Sequence, residues 1–312
     1  MRINLDKYTL ENAQVIFKRS NDGRKLRTAF WTAKKNKAHG TVFFLNGHRE
    51  FIEKYSETFK FLVEKGFNVI TLDWRGWGLS DRPFPSRPKV QHISSAAEYQ
   101  LDLDVVIDLA KEKNLTTPWH LVAHSLGSLL GLRRLVLEPQ RFSKYIFLSP
   151  LWGNMRSIPR PIQKLLVRYE KILEFLWLTK ITNQNPKKYE PYPLTVDFKE
   201  NTLTSDKKQF YRLQTLLKEN TLLHSGAPTL GYLISILKEI NELNLPDLPN
   251  RKILVLLAEN ERITDNNAVI RFINNHRFIN VVKIEKAQHE ILIEKEELRR
   301  EALSIMHRFL KS

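Results

Sequence analysis

From Leu121 to Ser128 the chain reads Leu-Val-Ala-His-Ser-Leu-Gly-Ser. An apolar strand pattern here passes directly into a helical pattern, with Ser125 at the junction. Such a tight junction is a strand–turn–helix elbow, which strains the backbone of its central residue and tolerates only small residues two positions away. Ala123 and Gly127 meet that requirement. The pattern therefore predicts that Ser125 stands clear of the edge of a sheet.

Short apolar, β-branched runs alternate with longer helix-patterned segments along most of the chain. This alternation is typical of a mostly parallel sheet covered by helices. The eight predicted strands are Gln14–Lys18, Leu26–Ala33, Thr41–Leu45, Asn68–Asp73, Trp119–Ala123, Lys144–Leu148, Lys252–Leu257 and Asn280–Glu285. The predicted helices between and after them are Ile52–Lys65, Ala96–Lys113, Leu126–Glu138, Asn267–His276 and Glu294–Leu310.

Residues 152–244 interrupt this alternation, because they contain several prolines, long helical patterns and no convincing pair of strands. Apolar residues recur there at three-to-four spacing from Ile162 to Leu176. We predict a mainly helical insertion over residues 152–244, between strands six and seven of one α/β core formed by residues 1–151 and 245–312.

The elbow makes Ser125 a candidate nucleophile. The backbone N–H of Leu126, at the start of the following helix, would then point toward a developing oxyanion. The pattern (Gly/Ala)-x-Ser-x-Gly is weak by itself, and an ordinary alternative for Ser125 is a helix N-cap. The strand before it and the helix after it favour the nucleophile.

A serine nucleophile requires a base and an acid that orients the base. His289 follows the last predicted strand and lies at the same carboxyl edge of the sheet as Ser125, so we predict that it is the general base. The acid should come from the loop after strand seven, where Glu261 and Asp265 compete. Glu261 is preferred and Asp265 is the alternative, although each is also explained as an N-cap or surface charge.

A second oxyanion donor is predicted in the turn after strand three, Leu45-Asn-Gly-His-Arg-Glu50. Gly47 allows the backbone to approach a substrate, and the N–H of His48 is the predicted donor. The next loop, Asp73-Trp-Arg-Gly-Trp-Gly-Leu-Ser80, lacks the phosphate-loop and dinucleotide fingerprints, and the sequence has no His-Glu-x-x-His motif. We expect no cofactor and no metal.

Composition excludes several classes of protein. The 312 residues carry 50 Lys and Arg against 34 Asp and Glu, which gives a net charge of +16. The balance of residue types is globular, and the lack of cysteine excludes a disulfide scaffold and thiolate chemistry. The positive charge is spread along the chain without a nucleic-acid-binding motif, so no nucleic-acid partner is expected.

The sequence has neither an apolar leader nor a run of 18 apolar residues, so we expect a cytoplasmic protein without a membrane span. The segment Pro161–Lys180 combines an apolar stripe with Lys164, Arg168, Lys171 and Lys180. This pattern is typical of a helix on an anionic membrane surface, and equally of a helix that buries its apolar face in the protein. Peripheral contact with the cytoplasmic face of the inner membrane is therefore one of two open alternatives.

Taken in chain order, these motifs resemble the α/β-hydrolase superfamily. The matching segments are Asn46-Gly47, Asp73-x-Arg75-Gly76-x-Gly78-x-Ser80, Ala123-His-Ser-Leu-Gly127, Glu261-Arg262 and Gln288-His-Glu290. Four further segments resemble bacterial PldB-type lysophospholipases, which belong with the monoacylglycerol-lipase-like serine hydrolases. They are Glu50-Phe-Ile-Glu-Lys-Tyr55, Thr71-Leu-Asp-Trp-Arg-Gly-Trp-Gly-Leu-Ser-Asp81, Asn201-Thr-Leu-Thr-Ser-Asp206 and His289-Glu-Ile-Leu292.

The resemblance implies an α/β-hydrolase fold with an eight-stranded sheet and a helical cap over the active site. It also implies hydrolysis of one acyl ester bond in a single-chain lipid, a lysophospholipid or a monoacylglycerol, through an acyl-enzyme. Ala123, Asn46 and Glu261 depart from the usual Gly, His and Asp. The alternatives are a carboxylesterase for smaller soluble esters and a catalytically silent, lipid-binding protein of the same fold.

Overall fold

An eight-stranded sheet forms the centre of the computed structural model, which describes residues 12–33, 38–153, 158–182, 189–243 and 248–312. The strands are β1 (Gln14–Arg19), β2 (Lys25–Trp31), β3 (Thr41–Leu45), β4 (Asn68–Leu72), β5 (Trp119–His124), β6 (Lys144–Leu148), β7 (Lys252–Ala258) and β8 (Ile279–Ile284). The sheet order is β1-β2-β4-β3-β5-β6-β7-β8. Strand β2 is antiparallel to both of its neighbours, and β3 to β8 are mutually parallel. The predicted sheet is confirmed, with every strand within two residues of its expected ends.

The central strands form here because their apolar runs are buried on both faces of the sheet, as parallel strands covered by helices require. Successive side chains point to opposite faces, so Phe43 of β3 packs into one apolar cluster and Phe44 into another. Two cores therefore flank the sheet.

Helices cover both faces. In the described residues they are α1 (Ser56–Glu64), α2 (Ala97–Glu112), α3 (Leu126–Leu137), α4 (Arg160–Arg168), α5 (Glu170–Phe175), α6 (Lys207–Glu219), α7 (Leu230–Glu242), α8 (Asn266–Asn274) and α9 (Glu296–Lys311). The five predicted helices are all present. The first begins with a 3₁₀ turn at Ile52–Tyr55 before it becomes α-helical.

The β6–β7 segment, residues 149–251, carries α4 to α7. Its described residues contribute no strand to the sheet and form only two isolated bridges, Gln91 with Pro228 and Thr182 with Thr229. The domain boundaries at residues 152 and 244 stay predictions, and residue 244 and the predicted start of the core at residues 1–11 lie outside the described residues. Within the parts of the chain that the structure describes, no helix has the length and apolar character needed to cross a membrane.

The topology determines where a ligand site can form. Parallel strands end at one common edge, and ligands bind in α/β sheets outside these carboxyl ends. Strands β3, β5, β7 and β8 end at Leu45, His124, Ala258 and Ile284. The loops that follow them carry His48, Ser125, Glu261 and His289, which sequence places at four separate positions along the chain.

Candidate active site

Ser125 occupies the elbow between β5 and α3. Its backbone angles are φ 49° and ψ −113°, a strained conformation for a residue other than glycine. The Ser125 N–H donates to the Leu148 carbonyl at 2.9 Å, which ties the turn to β6. A Cβ atom at Gly127 would lie 2.4 Å from the Leu45 carbonyl oxygen, so only glycine lets α3 approach the end of β3 this closely.

His289 and Glu261 form a buried pair. His289 Nδ1 lies 2.7 Å from Glu261 Oε2, while Glu261 Oε1 accepts hydrogen bonds from the N–H groups of Ile263 and Thr264 at 2.7 and 3.1 Å. Burial alone would raise the pKa of Glu261, but His289 and the two amides outweigh it and lower the pKa to about 2. The carboxylate therefore stays ionised and favours the tautomer with a proton on Nδ1, which leaves Nε2 of the neutral ring as a proton acceptor.

The second acid candidate lies elsewhere. Asp265 caps the N-terminus of α8, where its Oδ1 accepts a hydrogen bond from the Ala268 N–H at 3.2 Å. Its other oxygen pairs with Arg160 at 3.0 Å. Of the two carboxylates that the sequence left open, the structure brings Glu261 to His289 and engages Asp265 in the start of a helix.

The predicted oxyanion donors differ in whether their backbone N–H groups already donate a hydrogen bond. The Gly47 N–H already donates to the Glu50 carboxylate. The His48 ring Nε2 lies 2.8 Å from Gln91 Oε1, and burial together with the charge of Arg49 lowers the pKa of His48 to about 3, so the ring is neutral. Leu126 is the first residue of α3, where a backbone N–H has no partner within the helix. The Gly47 N–H therefore stabilises the turn after β3. The N–H groups of His48 and Leu126 remain as the candidate oxyanion donors.

Ser125 and His289 line one cavity of about 300 Å³. The walls come both from the loops at the sheet edge and from the β6–β7 segment. Apolar side chains dominate the lining: Phe51, Leu203, Leu213, Leu217, Leu223 and Ile263. The acidic and basic lining residues are His48, Arg49, Glu50, Lys54, His289 and Glu290. The volume lies at the lower end of the range for small-molecule pockets.

A buried polar network contacts the backbone of His289. The sequence predicted no function for this network. The Lys54 ammonium donates to Glu50 Oε1 at 2.8 Å and to Glu290 Oε1 at 2.6 Å. His124 Nδ1 lies 3.0 Å from Glu50 Oε1, and its Nε2 lies 3.2 Å from the His289 carbonyl oxygen. The network thus links the turn after β3, the residue before Ser125 and the His289 loop. In the sequence, these residues stood out only because they lie in segments that resemble the α/β-hydrolases and the PldB-type lysophospholipases. Charged residues near strand ends are usually solvated, so their pattern alone does not predict a buried network.

The network also bears on metal binding. His124, His289 and Glu290 place potential ligand atoms within 4.8 Å of one another. Each is already engaged, since Glu290 bonds to Lys54, His289 Nδ1 to Glu261 and His124 Nδ1 to Glu50. A cation bound by Glu290 Oε1 would compete with the Lys54 ammonium.

Comparisons with known proteins identify the family and the fold. The family model Hydrolase_4, described as serine aminopeptidase S33, matches residues 36–296. The probable lysophospholipase L2 of Haemophilus influenzae is 26% identical over 277 residues, covering 86% of this chain and 83% of the relative. Lysophospholipase L2 of Escherichia coli K12 is 24% identical over 279 residues, covering 84% and 77%. The crystal structure of a soluble variant of a Saccharomyces cerevisiae monoglyceride lipase with a substrate analogue superposes with a TM-score of 0.74 at 17% identity, covering 95% and 94% of the two chains.

Proposed function

Since the chain belongs to the Hydrolase_4 family of α/β-hydrolases, we propose that it is a serine hydrolase that cleaves the acyl ester bond of a single-chain lipid, a lysophospholipid or a monoacylglycerol. The observation that carries the proposal is one cavity lined both by Ser125 on its strained elbow and by His289, which is bonded to Glu261 at 2.7 Å. The names of the lysophospholipase relatives support the substrate class.

The mechanism is a two-step acyl transfer. His289 Nε2 takes the proton of the Ser125 hydroxyl as Oγ bonds to the ester carbonyl carbon, and the electron pair of the C=O bond moves onto oxygen. The N–H groups of Leu126 and His48 hold this oxyanion. Collapse breaks the ester C–O bond, and His289 gives its proton to the departing glycerol oxygen. Water then repeats the sequence on the acyl-enzyme and releases the fatty acid, while ionised Glu261 holds His289 in the required tautomer.

The cavity lining favours an acyl chain. Leu213 and Leu217 of α6, with Leu203 and Leu223 beside them, present apolar surface to the same cavity as Ser125. Burying a chain of methylenes there is favourable by roughly 0.8 kcal/mol for each CH₂ removed from water. We therefore propose that the β6–β7 segment acts as the cap over the active site and supplies most of the acyl-binding wall.

The same segment carries an exposed apolar surface. Phe175 is 81% exposed and Trp177 is 75% exposed. This docking face consists of Ile162, Leu165, Tyr169, Ile172, Phe175, Leu176, Trp177 and Ile181. The four basic residues noted in the sequence, Lys164, Arg168, Lys171 and Lys180, are also exposed. We propose that the docking face rests on an anionic lipid surface, from which single-chain substrates enter the cavity.

Fatty-acid release tests the hydrolase proposal. The purified protein is assayed on lysophospholipid, monoacylglycerol and a p-nitrophenyl ester series of increasing chain length, with Ser125→Ala alongside. We expect long-chain lipid turnover in the wild type, and a loss of at least about 1,000-fold in kcat in the variant. Activity confined to short soluble esters would replace the lipid substrate with the carboxylesterase alternative. A folded wild type that releases no acid from any ester would contradict the enzyme proposal.

Vesicle sedimentation tests the docking face. The double variant Phe175→Ser, Trp177→Ser should lose binding to phosphatidylglycerol-containing vesicles while it keeps its turnover of a soluble p-nitrophenyl ester. Phe17→Ser is the matched control, because Phe17 is 46% exposed on the edge strand β1, outside the β6–β7 segment. Wild-type protein that stays in the supernatant with these vesicles would contradict the docking proposal.

A further inference from the structure

Arg49 is a cation in the catalytic cavity that is held without a carboxylate. It follows His48 directly in the turn after β3, has φ 63° and lines the same cavity as Ser125. Its Nε donates to the Ser225 carbonyl at 2.7 Å and its Nη2 to the Glu190 carbonyl at 2.8 Å. Both acceptors are neutral backbone groups of the β6–β7 segment, so they orient the guanidinium and leave its charge in place.

No carboxylate of the described residues lies within ion-pair distance of Arg49. The carboxylate of Glu190 influences Arg49 electrostatically, but it bonds to Lys89 at 2.5 Å and lies 3.4 Å from His224 Nδ1. Burial lowers the pKa of Arg49 to about 10, with Glu190 opposing part of that shift, so the group stays protonated at neutral pH. Its Nη1, with two N–H groups, has no protein acceptor in the parts of the chain that the structure describes.

The other ionisable groups of the site each have a side-chain partner. Lys54 pairs with Glu50 and Glu290, and His289 pairs with Glu261. Arg49 therefore presents a guanidinium without a paired carboxylate beside the predicted oxyanion donor His48. A partly desolvated guanidinium binds phosphate oxygens more strongly than a solvated one does, because the local dielectric constant is lower.

We propose that Arg49 forms an anion subsite of the catalytic cavity, which binds the phosphodiester of a lysophospholipid headgroup. The inference rests on the proposed ester hydrolysis at Ser125 and specifies its substrate. A lysophospholipid differs from a monoacylglycerol of the same chain only by the phosphate-linked group on the glycerol. Arg49, the residue next to His48, lines the same cavity as Ser125, so an ester bound at the oxyanion donors has its glycerol end in the cavity that contains the guanidinium. The subsite therefore favours lysophospholipids over monoacylglycerols.

The test compares two substrates of equal acyl length, lysophosphatidylglycerol and monoacylglycerol, in the same non-ionic detergent. The quantity measured is the ratio of their kcat/KM values. We expect Arg49→Gln to lower this ratio by about 10- to 100-fold, the range for the loss of a hydrogen bond to a charged group. Arg49→Lys keeps a charge without the planar fork and should lie between wild type and the Gln variant. This variant also keeps the test valid if Arg49→Gln does not fold.

Arg82→Gln is the matched control. Arg82 also donates to backbone carbonyls, including that of Leu222 in the β6–β7 segment at 2.7 Å, but it does not line the cavity. Its loss should leave the ratio of the two kcat/KM values unchanged. If Arg49→Gln lowers both values equally, Arg49 is only a link between the turn and the β6–β7 segment, and the subsite proposal is wrong. Wild-type protein inactive on both lipids would instead overturn the proposed function.

Discussion

Glu261 shows how one side chain combines stability and chemistry. Three hydrogen bonds converge on its buried carboxylate, from His289, Ile263 and Thr264. These bonds stabilise the ionised form of Glu261, and the bond to His289 also orients its imidazole ring. Glu261 is one methylene longer than an Asp would be, and its Oε2 reaches His289 Nδ1 at 2.7 Å.

The lowered pKa of Glu261 predicts a pH-dependent contribution to folding. Its pKa is about 2 in the folded protein against an ordinary value of 4.5. A lowered carboxyl pKa stabilises the folded state above pH 4.5, and this stabilisation disappears as the pH falls through about 2. Chemical denaturation at several pH values should show that Glu261→Gln is less stable than wild type by about 3 kcal/mol at pH 7. The difference in stability between the two proteins should disappear as the pH falls from 4.5 to 2.

Measuring the difference between the two proteins cancels the other carboxyl groups, which titrate in both. A gap of constant size down to pH 2 would mean that the folded pKa of Glu261 is not lowered. The same variant should lose esterase activity, because glutamine cannot stabilise the imidazolium that forms during acyl transfer.

At the scale of the element, α8 depends on a cap that the sequence also offered as a catalytic acid. Asp265 accepts the Ala268 N–H and pairs with Arg160. We expect Asp265→Ala to destabilise the protein by about 1 kcal/mol, the usual cost of a lost N-cap, and to leave kcat on a soluble ester within about twofold. Thermal unfolding and p-nitrophenyl ester turnover measure the two effects.

Asp206→Ala provides the comparison. Asp206 caps α6 in the same way, by accepting a hydrogen bond from the Gln209 N–H at 3.0 Å. The two Ala variants should lose similar stability. A collapse of kcat in Asp265→Ala to the level of Glu261→Gln would make Asp265 the orienting acid after all.

Helices α4 and α5 show where an element cannot be placed from its own pattern. Their apolar stripe fits burial against the protein and binding to a lipid surface equally well, because the same spacing produces both faces. Ile172 is 53% exposed and Leu165 is 56% exposed. The neighbouring elements, which sequence periodicity does not reveal, leave this stripe uncovered.

At the scale of the whole molecule, Lys54 joins parts of the chain more than 230 positions apart. Burial alone would lower the pKa of Lys54, but Glu290 and Glu50 outweigh it and raise the pKa, so the ammonium is a permanent partner of two buried carboxylates. Lys54→Met would leave both carboxylates without their cation. We expect a loss of about 3–5 kcal/mol in the free energy of unfolding.

Lys60→Met is the control for Lys54→Met, since Lys60 is exposed on α1 and should cost less than about 0.5 kcal/mol. Urea denaturation of both variants measures the difference. Equal stability of the two variants would show that the buried network contributes nothing to folding. The kcat of Lys54→Met should also fall, because Glu290 lies next to His289 in the same loop.

The sequence by itself determined the eight strands, the elbow at Ser125 and the loops that carry Glu261 and His289. These features follow from local physics: apolar runs need burial on both faces, an elbow needs small neighbours, and parallel strands end at one edge. Only the tertiary structure decided which carboxylate meets His289, since Glu261 and Asp265 lie on one loop and their directions depend on the packing of α8. The tertiary structure also decided that Lys54 forms buried ion pairs with Glu50 and Glu290, while Arg49 donates only to backbone carbonyls among the described residues. The reason is that a charged residue has the same sequence pattern whether water or distant parts of the chain surround it.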